Sequence, residues 1–125
     1  MIRIDLPWPR PPLTGNDRGH TRFRSSTVSQ TLGEARMAVR RAKVKPIVGA
    51  NVTLHWRIPN RGRRDSDNLG PTLKECLDAL VQEGVLPDDS WIHVPRSGNE
   101  IHPPNGEPAA MWLELEVITE YEEGA

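Results

Sequence analysis

Ile2, Ile4 and Leu6 alternate with polar residues, the period-two pattern of a short half-buried strand. The prolines at 7, 9, 11 and 12 stop it, because proline has no N–H for a sheet ladder. Residues 13–28 hold Gly, Ser, Thr and Arg with few apolar side chains, and they read as an exposed basic loop. Thr31 and Glu34 then have the spacing of a capping box. Leu32, Ala35, Ala38, Val39 and Ala42 follow at helical spacing, which predicts a helix over 31–43, closed by Pro46. Arg36, Arg40, Arg41 and Lys43 fall on its other side.

Val52, Leu54, Trp56 and Ile58 alternate with Asn51, Thr53, His55 and Arg57, a second strand. Pro59-Asn60-Arg61-Gly62 reads as a turn. A second helix is predicted from about Asn68, with Pro71 in its first turn. Leu69, Leu73, Cys76, Leu77 and Leu80 form its apolar stripe, and Gly84 is its stop. Trp91-Ile92-His93-Val94 is expected to run back antiparallel as a strand, ahead of a proline-rich stretch over 95–108. A closing strand over 111–121 puts Leu113, Leu115 and Val117 on one face and Glu114, Glu116 and Glu120 on the other. The order β-α-β-α-β implies a small α+β domain with two helices packed on a mixed sheet.

Length and charge narrow the partners. The 125 residues suit one domain, 1–125, with a single core. Net charge is -1, but residues 1–64 carry 14 Lys+Arg against 3 Asp+Glu, and residues 65–125 carry 2 against 14. Such asymmetry marks a polyanion-binding face, or two halves that neutralise one another across the fold. The lone Cys76 has no partner for an intramolecular disulfide and reads as a small buried apolar residue. The four histidines (His20, His55, His93, His102) lack ligand-like spacing along the chain. No signal-like N-terminus and no apolar run long enough for a bilayer is present, so a soluble cytoplasmic protein with no membrane partner is expected.

The chemistry concentrates in Arg63-Arg64-Asp65-Ser66-Asp67-Asn68 and, past the second helix, Asp88-Asp89. Carboxylates from two segments suit Mg²⁺, which takes oxygen ligands and keeps part of its water shell. Adjacent arginines suit a phosphate-bearing substrate. Asp65 and Asp67, one residue apart in an extended segment, point to the same side. For Asp88 or Asp89 to join them, the chain must return along the ~20 Å of the intervening helix. Each piece also has a plainer role. Asp-x-Asp before a helix serves as an N-cap, Asp88-Asp89 after Pro87 is ordinary turn composition, and Lys74 can simply pair with Asp78 one helical turn on. The spacing does not fit a 12-residue calcium loop.

The stretch Arg63-Arg64-Asp65-Ser66-Asp67-Asn68-Leu69, then Lys74, Leu77-Asp78-Ala79-Leu80, Gly84 and Asp88-Asp89-Ser90, resembles the RusA family of Holliday junction resolvases. Leu6-Pro7-Trp8-Pro9, followed by Asn16 and Arg18, is similar to that family's opening. Gly70-Pro71-Thr72 departs from the pattern as a short insertion; counting back from Asp78 keeps Lys74 in place. The resemblance implies a Mg²⁺-dependent homodimeric endonuclease that resolves four-way branched DNA by paired, symmetric nicks. It implies metal-binding aspartates at Asp65, Asp67 and Asp89, with Asp88 as alternate, and a functional lysine at Lys74. Arg63, Arg64, Arg22, Arg24, Arg36 and Arg40, with Asn16 and Arg18, are the DNA-contact candidates. A non-catalytic branched-DNA binder on the same scaffold is the alternative.

Overall fold

The computed structural model describes residues 1–15 and 21–118, and for 21–24 the backbone alone. The elements run β1 (Ile2–Asp5), α1 (Thr21–Ala42), β2 (Gly49–Arg57), a 3-10 turn (Ser66–Leu69), α2 (Gly70–Gln82), β3 (Ser97–His102) and β4 (Ala110–Ile118). The strands make one mixed sheet in the order β1-β4-β2-β3. β4 is antiparallel to both β1 and β2, and β3 is parallel to β2 at the edge. The expected α+β class holds, with two helices and a four-stranded mixed sheet.

Register sorts the side chains. Val52 lies opposite Leu115 and Leu54 opposite Leu113, while Ile2 and Ile4 lie opposite the same two residues from the other side. This apolar face joins Ala35 and Val39 of α1 and Leu73, Cys76 and Leu80 of α2 in a single core. Cys76 is fully buried, and that burial drives its thiol pKa up, so it is held as an inert thiol. The residues between the apolar ones, Arg3, His55, Arg57, Glu100, His102, Trp112 and Glu114, point to the opposite face.

Helix α1 begins ten residues earlier than the capping-box spacing suggests. Thr31 lies inside it, buried, and its hydroxyl donates to the Thr27 carbonyl at 2.7 Å. It therefore satisfies the preceding turn and caps nothing. The reading of 13–28 as loop fails for 21–28, where few apolar residues left no helical period to detect. Helix α2 ends as predicted: Gly84 sits at φ 79°, its N–H bonds the Val81 carbonyl, and the Val85 N–H bonds that of Leu80. This paired closure needs a left-handed residue that glycine tolerates.

Trp91-Ile92-His93-Val94 is not a strand. The Ser90 carbonyl accepts from the N–H groups of both His93 and Val94, winding a tight turn that buries Val94 and leaves Trp91 exposed. The returning strand is β3, within the segment that looked like proline-rich loop. Closing strand β4 starts at Ala110 and is described to Ile118, so Glu120 and Tyr121 lie outside the described residues. Among the described residues no helix is long and apolar enough to cross a membrane.

Candidate functional site

β2 hands the chain to the turn at Pro59, and Arg64 holds that turn shut. Its Nη1 donates to the carbonyls of Asn60 and Gly62, each at 2.7 Å, and to Asn60 Oδ1 at 3.0 Å. Its guanidinium also lies 5.4 Å from the Trp56 ring centroid. Arg64 is thus committed to the protein, whereas Arg63 is 90% exposed and, among the described residues, approaches Asp65 at 3.7 Å. Asp65 precedes the 3-10 turn in an extended conformation, and its carboxylate makes no capping bond. Asp67 follows in the turn, also exposed. Asp65 joins Trp8, Arg10, Trp56, Arg63 and Asn68 in lining a cleft of about 670 Å³.

Two devices fix the cleft's far wall. Thr72, fully buried, donates its hydroxyl to the Leu13 carbonyl at 2.6 Å and accepts from the Leu13 N–H at 3.2 Å. The Gly15 N–H donates to the Asn68 carbonyl at 3.2 Å. The proline-rich segment is thereby pinned across the start of α2, and Thr72, inside the apparent insertion, is what pins it. Trp8 and Trp56 are buried; Trp56 donates its indole N–H to the Pro9 carbonyl at 3.0 Å, so both frame the cleft from within.

The second acidic pair lies elsewhere. The Val85 carbonyl accepts from the Ile47 N–H and that of His93 from the Ala50 N–H, so residues 85–93 pack at the start of β2. Asp65 and Asp67 follow its end. Nine residues of strand, at ~3.3 Å each, run between the two places, and among the described residues no group of clustered metal-binding side chains includes Asp65, Asp67, Asp88 or Asp89. Within one chain the expected set Asp65, Asp67 and Asp89, with Asp88 as alternate, does not converge. The reason is topological: the chain does come back along α2, but β3 is the segment that returns. Asp88 is occupied besides. Its Oδ1 accepts the Asp89 N–H at 2.7 Å, and that bond leads the contacts holding its carboxyl pKa below the usual range. Asp89 is exposed.

Lys74 is exposed on α2, its Nζ 3.5 Å from Asp78 Oδ2, the plain one-turn pair. Arg36 and Arg40 clasp Glu83 at 2.8 and 2.9 Å, locking α1 to α2. These bonds pull the Glu83 carboxyl pKa down to about 2, the Arg40 bond contributing most. Both arginines are thus partly spent on a structural ion pair. Asn16 and Arg18 lie outside the described residues, as do the side chains of Arg22 and Arg24.

Among the described residues, His55, Glu100 and His102 bring three metal-binding side chains together, with one ligand atom of each within 4.8 Å of the others. Their separation in sequence hid them. β3 lies parallel to β2 with His55 opposite Glu100 and Arg57 opposite His102, which puts all three on one face. The available signal was the pair Glu100 and His102, two residues apart on a strand, and His55 at a polar position of an alternating one. No protein-family model matches this chain, and no curated protein matches it.

Proposed function

We propose that this chain is a Mg²⁺-dependent endonuclease acting on four-way branched DNA, with each cutting site assembled from two copies. The observation that carries the proposal is the state of Asp65 and Asp67: one residue apart and exposed, with Asp65 uncapped and lining an arginine-bearing cleft. Carboxylates at a helix start usually satisfy its amides. Here the Asp65 carboxylate leaves that work undone, so it is free to ligate. Bound Mg²⁺ would supply an activated water and neutralise charge developing on the phosphate. Arg63 would hold a flanking phosphate, and Lys74 would approach the scissile one from the next turn of α2.

The remote position of Asp89 gives the second copy its role. A two-fold axis across the middle of the β2–α2 layer exchanges the two ends of that layer. It would bring Asp89 of one copy to Asp65 and Asp67 of the other. Two such sites per dimer suit paired nicks in opposing strands. Of the two acids, Asp88 is held by its own turn, which leaves Asp89 as the ligand.

Complementation tests this directly. Asp67→Asn and Asp89→Asn should each abolish Mg²⁺-dependent cutting of a synthetic four-way junction. Mixed after denaturation and refolding, the two variants should regain activity, because one of the two sites in each heterodimer is then intact. No regain from a mixture that does form heterodimers would reject the shared site. The failure of the carboxylates to converge within one chain favours one other reading, a branched-DNA binder without chemistry. Wild-type protein that binds the junction and never cuts it with Mg²⁺ would establish that reading instead.

A further inference from the structure

We propose that His55, Glu100 and His102 form a binding site for a zinc-class divalent cation that clamps edge strand β3 onto β2. The rings of His55 and His102 stack with centroids 4.9 Å apart, and both stack on Trp112, at 5.2 and 5.3 Å. His55 Nδ1 lies 2.7 Å from His102 Nε2 and 3.5 Å from Glu100 Oε2. His55 itself is 5% exposed, and its Nε2 is buried without a hydrogen-bond partner, with Glu114 Oε1 at 3.6 Å.

The metal-ready tautomer keeps the proton on His55 Nε2, where a small rotation completes an N–H···O bond to Glu114. The lone pair then sits on Nδ1, aimed at His102 and Glu100. Without a metal, the His102 Nε2 proton fills the gap between the rings. A cation takes the place of that proton, which moves to His102 Nδ1, and binds both nitrogens and the Glu100 oxygen, with Glu114 orienting His55 from behind, the carboxylate–imidazole–metal relay common at zinc sites. Nitrogens ~2.1 Å from a tetrahedral zinc stand ~3.4 Å apart. The His55–Glu100 distance already matches that span, and the ring pair must open by about 0.7 Å. Two imidazoles and a carboxylate select zinc, cobalt or nickel over magnesium. Three protein ligands leave a fourth position for solvent on the Glu100 side, which is exposed.

The position gives the site a mechanical consequence. β3 has one neighbour in the sheet, and its partner residues on β2 are those that lead into the turn before Asp65. A cation shared by His55 and the far end of β3 would fix that edge.

The test is titration of chelator-treated, full-length protein with Zn²⁺ by calorimetry and with Co²⁺ by visible absorption. One site per chain is expected, roughly micromolar or tighter, with the intense absorption of tetrahedral Co²⁺. Excess Zn²⁺ at about 100 times Kd should raise Tm by roughly 5–10 °C. His102→Ala and Glu100→Gln should weaken binding by at least about tenfold, and Glu114→Gln by about tenfold through His55. Asp67→Asn should leave it unchanged, which separates this site from the nuclease reading. Glu100→Gln keeps the size of an exposed side chain, so an unaltered metal-free Tm certifies its fold. Binding that His102→Ala and Glu100→Gln leave intact, or no saturable binding below about millimolar Zn²⁺, would overturn the proposal and make the three rings a packing contact only.

Discussion

Two regions of this molecule gather metal-binding side chains, and they are opposites. At the start of α2, Asp65 and Asp67 lie one residue apart in sequence, exposed and, on the proposed reading, incomplete within one chain. On the far face of the sheet, His55, Glu100 and His102 come from two strands, enclose a largely buried imidazole and are complete within one chain. The first uses hard oxygen donors and solvent, suited to an ion that keeps its water. The second uses nitrogen donors and a ring stack, suited to an ion that gives its water up. A chain can therefore advertise a site that it does not finish, and finish one that it does not advertise.

The sharpest way to break that contrast is Asp67→Asn. Removing one carboxylate from the proposed magnesium set should lower junction cutting about 10³-fold, several kcal/mol of barrier. Junction binding in the absence of metal should hold or tighten, since a negative charge near phosphate is gone. Cutting rates and gel-shift affinities measured on the same preparation check both halves. A variant that cuts normally would remove Asp67 from the chemistry and leave the histidine face as the molecule's better metal candidate.

What could be read from the chain follows the same division. The alternations at Ile2–Ile4 and Val52–Ile58, and the stripe from Leu69 to Leu80, were legible because local periodicity reports a buried face directly. Gly84 was legible because helix closure is local chemistry too. Asp65 and Asp67 stood out because a single residue separates them. The start of α1 was not legible: Thr, Ser and Arg outnumber apolar residues in its first turns, and Thr31 imitates a cap. β3 was missed because Ser97, Gly98 and Asn99 have poor strand propensity and rely on pairing with β2. With β3 went Glu100 and His102, and the separation of Asp89 from Asp65 was invisible for the same reason. Parallel pairing is a tertiary fact that no local window contains.

Thr72→Val tests the wall that serves only the acidic region. It keeps the side-chain shape but leaves the Leu13 N–H and carbonyl unpaired in a buried place, which should cost about 1–3 kcal/mol. Denaturant melts should show the loss, junction affinity should fall as the proline-rich segment loosens, and Zn²⁺ affinity should stay put. Equal loss at both sites would mean that the two regions share one mechanical unit.

Glu83→Gln probes the clamp that ties α1 to the end of α2, apart from both regions. The folded protein holds this carboxyl at about 2, below its ordinary 4.5, so its stabilising effect is complete above pH 4.5. It fades as pH falls from there toward 2. The variant should be less stable than wild type near neutrality, and the gap should close over that acid window in melts taken across pH. A gap that widens on acidification would contradict the assignment to Arg36 and Arg40.

The smallest effect separates two neighbouring arginines. Arg63 is almost wholly solvent-exposed, and its 3.7 Å approach to Asp65 is weak at that exposure. Arg64 spends its guanidinium on Asn60, Gly62 and Trp56. Arg63→Ala should therefore weaken DNA binding a few-fold, alike for all sequences, and reduce the slope of log K against log salt by roughly one phosphate's worth. Arg64→Ala should instead lower Tm, because three hydrogen bonds that close the turn disappear, while the salt slope of the folded protein changes little. Should the slopes respond the other way round, the free cation beside the carboxylates is Arg64, and the turn must open when DNA arrives.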